Sequence, residues 1–147
     1  MQNKFFRLGS WRSGNSCAIF QPMILSVGLD IIELERIERA RGRYGEKFAA
    51  RFLTKNEQIS LARRADKLAF LSGRFAAKEA ALKALGALFN SGVYLRDIEI
   101  VNDKHGKPQV RFPQRLEEKL AGYRLHLSIT HSHKTAAAVA ILEKNSV

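Results

Sequence analysis

The chain has one cysteine, Cys17, among its 147 residues, so no intrachain disulfide can form and a core has to come from packed apolar side chains. Enough of these are present, with 46% of residues hydrophobic, and the length suits one domain. Such a domain buries about two thirds of its unfolded surface. A reducing cytosol is the expected compartment. No uninterrupted apolar run approaches the about 20 residues that cross a bilayer, which argues against an integral membrane helix. Repeats and low-complexity tracts are missing, as are zinc-finger, KH and RRM signatures and a convincing helix-turn-helix. Negative charge is scarce too: 14 Asp and Glu stand against 25 Lys and Arg, for a formal charge of +11.

The opening stretch, MQNKFFRLGSWRSGNSCAIFQP, starts basic but has no sustained apolar segment followed by a small-residue cleavage site, so a secretory signal is not expected. Residues 1–22 are expected to be a flexible extension or the product of an overlong start, and 23–147 the folded domain. Composition changes at Met23, where MILSVG reads as a short strand and residues 28–30 as a close turn. IIELERIERAR has a helical period, with Ile31, Leu34 and Ile37 on one face and Glu33, Arg36 and Arg39 on the polar side. Gly42 and Gly45 interrupt it, EKFAARFL gives a short helix, and Thr54 with Glu57 has the spacing of a capping box at the next helix start.

The longest helix is expected over 66–85, with Leu68, Leu71, Phe75 and Leu82 as an apolar stripe and Gly86 ending it through a positive φ. Glu79 is out of place there. It lies four residues beyond Phe75 and three before Leu82, so the phase that buries those side chains turns its carboxylate toward an interior or a cleft. Lys83, one turn further on, shares that side. The remainder reads as strands: RDIEIV, a turn over 102–108, a short helix over 113–120, then YRLHLSIT and KTAAAVAILE joined at HSHK. In YRLHLSIT, Leu125, Leu127 and Ile129 alternate with His126, Ser128 and Thr130.

Asp30 and Glu79 are hard oxygen donors that could take Mg²⁺ with water and phosphate in the other positions, although the plainer reading of the residues alone is a helix cap and a salt bridge. Arg74, Lys78 and Lys83 can neutralise phosphate oxygens, Arg74 through its planar fork, or decorate a solvated helix face. Thr130, His131, Ser132 and His133 form a polar strand end where His131 can orient phosphate or move a proton; turn hydrogen bonding is the plainer reading, and zinc has little behind it. Over 36–83, 13 basic residues face 5 acidic ones with Tyr44, Phe48 and Phe52 interleaved, a pattern that suits nucleic acid or an acidic protein.

Four pieces, VGLDIIELERI, FLSGRFAAKEAALKALG, the DIEIVNDKHGKP region and LSITHS, follow one another between Met23 and about Glu143. In order and spacing they resemble the holo-acyl-carrier-protein synthase family, the short type of 4'-phosphopantetheinyl transferase. The resemblance implies an α+β fold with a long central helix packed on an antiparallel sheet, and a homotrimer whose active sites are shared between subunits. It implies that Asp30 and Glu79 hold Mg²⁺, and that Lys83 binds phosphate and takes part in proton transfer. It further implies that Arg74, Lys78, Gly86 and His131 accommodate coenzyme A as cosubstrate, and that Arg36, with Arg39 and Arg43, docks an acidic acyl carrier protein. The implied reaction is cytoplasmic transfer of 4'-phosphopantetheine to a carrier serine, with Asp30, Glu79, Lys83 and His131 as the catalytic group and no specific nucleic acid involved. A nonenzymatic nucleic-acid-binding module and a Mg²⁺-dependent phosphohydrolase are the alternatives. After the long helix the chain departs from the family's Gly-Thr-Gly-like continuation, with Gly86, Ala87 and Leu88 followed by FNSG.

Overall fold

A 19-residue helix, α4 (Lys67–Leu85), organises the described residues, 23–145, of the computed structural model; the extension expected at 1–22 lies outside them. Against this helix packs an antiparallel sheet in the order β1 (Met23–Glu33), β5 (Thr135–Lys144), β4 (Tyr123–His131). Small side chains set the joint. Ala76, Ala77, Ala80, Ala81 and Ala84 of α4 are buried, as are Ala136, Ala138 and Ala140 of β5. β1 comes closest at Gly28, where an added Cβ would sit 2.7 Å from Ala84 N and 2.9 Å from the Ala80 carbonyl carbon, and closer still to the Ala80 oxygen. Glycine is required there by proximity rather than by backbone angle. Two residues earlier, Ser26 Oγ donates to the Ala84 carbonyl at 2.6 Å and ties strand to helix.

β1 runs straight through the turn expected at 28–30. It stays paired with β5 as far as Glu33↔Thr135, so its backbone groups find ladder partners where a turn would have left them to solvent. Ile31 therefore belongs to the strand and is exposed, not on a helix face with Leu34 and Ile37, and α1 (Leu34–Tyr44) starts later than its periodicity suggests. Gly45, at φ 57, separates α1 from α2 (Glu46–Ala50). α3 (Lys55–Ala62) opens on the expected capping box: Thr54 N donates to Glu57 Oε2 at 2.8 Å and Glu57 N to Thr54 Oγ1 at 3.3 Å. Gly86 ends α4 at φ −55, a right-handed conformation and not the positive φ expected, because its N–H still bonds Leu82 O in the helical pattern.

Beyond α4 a 3₁₀ turn at Leu95–Asp97 leads into the hairpin β2 (Glu99–Asn102) and β3 (Pro108–Arg111), followed by α5 (Gln114–Glu117), shorter than the 113–120 expected. Phe52, Leu53, Leu71, Leu85, Ile98, Ile100 and Leu116 fill the space between the helices and this hairpin, and Phe52 meets Phe48 and Phe75 edge-on at 5.4 and 5.3 Å. The face of β1 turned away from α4 carries Val27, Leu29 and Ile31, which are 59, 63 and 66% exposed.

Candidate active site

Two groups of polar side chains lie along α4. The first is an acidic corner. Asp30 sits on β1, two residues after the close approach at Gly28, and Lys83 of α4 reaches across to donate to Asp30 Oδ1 at 2.8 Å and to Leu29 O at 2.9 Å. Glu79, one turn before Lys83, is half-buried. Burial and the negative charge of Asp30 together hold its carboxyl above the usual range, against the opposing pull of Lys83. The structure thus brings Asp30, Glu79 and Lys83 together, with the cation bonded to Asp30.

The second group surrounds a pocket of about 180 Å³ lined by Arg64, Asp66, Phe70, Arg74, Asn102 and His131, among others. Arg74 projects from α4 five residues before Glu79, about 7.5 Å along the helix axis. Its guanidinium donates Nη2–H to Asn102 Oδ1 at 2.8 Å and lies 4.8 Å over the Phe70 ring, while burial lowers its proton affinity. His131 enters from the end of β4. Arg64 is held by Asp66 through two hydrogen bonds of 2.7 and 2.8 Å.

Lys78 belongs to neither group, which corrects the expectation that it receives coenzyme A. It is fully buried, and its ammonium is spent on Glu57 Oε2 and Phe52 O, both at 2.6 Å, and on Leu95 O at 3.1 Å. Three donors meet three acceptors, so none is left for a ligand. Burial pushes this ammonium below its ordinary proton affinity, and Glu57 opposes that shift. Glu57 was visible only as the partner in a capping box. Its carboxylate also accepts from Ile100 N at 3.1 Å and faces Arg74 Nε at 3.8 Å, contacts that cross 43 and 17 residues of sequence and leave no local signal.

Gly86 is exposed at the end of α4. Arg36, Arg39 and Arg43 are exposed along α1, with Arg39 at 3.9 Å from Glu35. Among the described residues no helix is long and apolar enough to cross a membrane.

The family model described as the 4'-phosphopantetheinyl transferase superfamily matches residues 26–141, and the chain belongs to that superfamily. Its relatives are more particular. It is 46% identical over 119 residues to a holo-(acyl-carrier-protein) synthase of Protochlamydia amoebophila, covering 81% of this chain and 98% of the relative. The crystal structure of holo-(acyl-carrier-protein) synthase from Neisseria meningitidis superposes with a TM-score of 0.77 at 34% identity, over 83% of this chain and all of that one. The Bacillus anthracis enzyme, solved in complex with CoA (3',5'-ADP), gives 0.70 at 39% identity over 84% of this chain and 99% of that one.

Proposed function

We propose that this enzyme transfers 4'-phosphopantetheine from coenzyme A to a serine hydroxyl of apo acyl carrier protein and releases adenosine 3',5'-bisphosphate. The observation that carries this reading is the pairing of an acidic corner, Asp30 and Glu79 beside Lys83, with a basic pocket around Arg74 about one and a half turns away on α4. A cosubstrate with phosphate at two places along its length suits such a pair of sites.

The acidic corner fits Mg²⁺. Both side chains are oxygen donors, and the charge of Asp30 helps hold Glu79 above its usual range, a strain that a cation relieves. Among the described residues no cluster of three His, Cys, Asp or Glu is present. Two carboxylates are what Mg²⁺ takes when its remaining oxygens come from water and a substrate phosphate. Asp30 and Glu79 would hold the ion, which when bound neutralises charge on the pyrophosphate. Lys83, with its ammonium directed at Asp30, offsets charge developing on the departing nucleotide phosphate. Arg74, Arg64 and His131 take the adenosine end with its 3'-phosphate. The serine hydroxyl gives up its proton to water as its oxygen bonds the phosphorus that carries pantetheine, the bridging P–O bond breaks, and the nucleotide leaves with that electron pair.

The exposed arginines of α1 suit an acidic carrier, whose encounter they accelerate by long-range attraction. A homotrimer with shared sites is supported by the row Val27, Leu29 and Ile31, which a second copy would remove from water. It is supported also by the groove of about 760 Å³ between β3 and β4, lined in part by Phe112, Leu125, Val139 and Ile141. The cytoplasm, where the thiol of a transferred arm stays reduced, is the compartment this reaction suits.

Intact-mass measurement of apo acyl carrier protein incubated with coenzyme A and Mg²⁺ tests the reaction. Gain of the phosphopantetheinyl mass is expected, together with adenosine 3',5'-bisphosphate only when carrier is present. Phosphate release without carrier would mark a phosphohydrolase, and salt-sensitive nucleic-acid binding with neither product a binding module.

A further inference from the structure

Arg74 is restrained on three sides. The Phe70 ring stacks beneath its guanidinium at 4.8 Å, Asn102 Oδ1 accepts from Nη2 at 2.8 Å, and Nε is buried 3.8 Å from Glu57 Oε1 without a hydrogen-bond partner. Glu57 cannot move to close that gap, because Thr54 N, Lys78 Nζ and Ile100 N already hold its two oxygens. Asn102 is fixed in turn, its Nδ2 donating to Gly106 O at 3.2 Å across the β2–β3 turn. Of these supports, Glu57 is buried within the core, whereas Asn102 is exposed and lines the pocket that Arg74 faces.

The hydrogen bond to Asn102 decides where the guanidinium points. Without it, Arg74 gains by turning toward Glu57, since a hydrogen-bonded ion pair there would satisfy the buried Nε. With it, the guanidinium plane is set in advance and the pocket binds a phosphate without ordering a free side chain. Terminal phosphate monoesters, with three acceptor oxygens and nearly two charges, gain most from such a donor.

We propose that Asn102 is a positioning residue that holds Arg74 for a phosphate monoester and thereby makes the pocket select coenzyme A over its 3'-dephospho form. This rests on the proposed use of the pocket for the adenosine end of the cosubstrate. Asn102 touches no reacting atom and acts through Arg74.

The test is a double-mutant cycle of Asn102→Ala and Arg74→Ala, with rates measured on apo acyl carrier protein using coenzyme A and 3'-dephospho-coenzyme A. Asn102→Ala is expected to raise KM for coenzyme A by about tenfold, the worth of one charge-assisted hydrogen bond, with a smaller fall in kcat. Preference for coenzyme A over the dephospho form should shrink by a similar factor. In the Arg74→Ala background the same substitution should change that preference by less than about twofold. Equal losses with both cosubstrates, or a full effect in the absence of Arg74, would show that Asn102 only holds the hairpin turn and would overturn the proposal. Calorimetric binding of adenosine 3',5'-bisphosphate against adenosine 5'-monophosphate makes the comparison without carrier. Failure of the unaltered protein to discriminate between them overturns the selection by Arg74 and Asn102 even where transfer proceeds. Discrimination without transfer, lost in Asn102→Ala, supports the positioning role while refuting the proposed reaction.

Discussion

Gly28→Ala is the smallest change expected to disturb both the fold and the chemistry. The new Cβ would lie 2.7 Å from Ala84 N and 2.9 Å from the Ala80 carbonyl carbon, where relaxed contacts between heavy atoms need about 3.5 Å. These obstacles, together with the Ala80 oxygen, which is closer still, are backbone of a buried helix, so none can rotate away. To clear the Ala80 oxygen as well, β1 has to lift from α4 by more than about 1 Å, stretching the Ser26 Oγ bond to Ala84 O, which starts at 2.6 Å. Overpacking of this kind costs about 3 kcal/mol, a fall in Tm of about 6–12 °C for a chain of this size. The displacement also reaches Asp30, two residues along the same strand, and separates it from Lys83 and Glu79. A misplacement of about 1 Å can cost about 100-fold in rate. Thermal melts combined with carrier-modification rates measured well below the lowered Tm separate the two effects. A variant with Tm within about 2 °C of the parent and unaltered kcat/KM would refute the inference that the β1–α4 contact sets the acidic corner.

Glu79→Gln and Asp30→Asn should each reduce Mg²⁺-supported turnover by about 100-fold or more while circular dichroism shows the fold retained, and full activity at ordinary Mg²⁺ would reject the ligand assignment. Because burial and Asp30 raise the Glu79 carboxyl, its ionisation weakens the folded state. That penalty is absent below the ordinary carboxylate range and complete above the raised value, so the Tm of Glu79→Gln relative to the parent should rise, and not fall, as pH increases through and above the ordinary carboxylate range. Lys78→Met removes one partner of a buried ion pair and should cost about 3–5 kcal/mol, read in a denaturant melt, with part recovered when Glu57→Gln is added; an unchanged melt would contradict the burial of the pair. Arg36→Glu should raise KM for the carrier several-fold at low salt and leave KM for coenzyme A unchanged, so equal carrier kinetics would remove Arg36 from the docking surface.

Those parts of the fold with a single dominant period were legible from residues alone. α4 shows through its stripe from Leu68 to Leu82 and β4 through its alternation, and the capping box at Thr54 and Glu57 announced α3. The start of α1 was not legible, because Ile31, Leu34 and Ile37 satisfy a helical spacing while Val27, Leu29 and Ile31 satisfy a strand, and only pairing with β5 decides between them. Within the site, Glu79 stood out by its phase. Lys78 was misjudged for the opposite reason. It is neighbour in sequence to Glu79 but rotated by about 100° around the helix, toward a buried carboxylate that arrives from α3. Asn102 carried no more than a turn signal, since its bond to Arg74 spans 28 residues.

The alanine joint between α4 and β5 has a consequence for how such a protein can diversify. A contact built from Ala76, Ala80, Ala84 and Ala138, with Gly28 alongside, has no larger side chain to trim and no void into which one could grow. Substitutions at this joint are therefore expected to cost more stability than changes on the exposed surfaces. The arginines of α1 project into solvent on a helix that joins this scaffold at Leu34 and Ile37, so their number and order can be rewritten without shifting Asp30 or Glu79. On the docking role proposed for α1, the carrier preference of such a chain can be retuned while the proposed Asp30 and Glu79 corner stays in place.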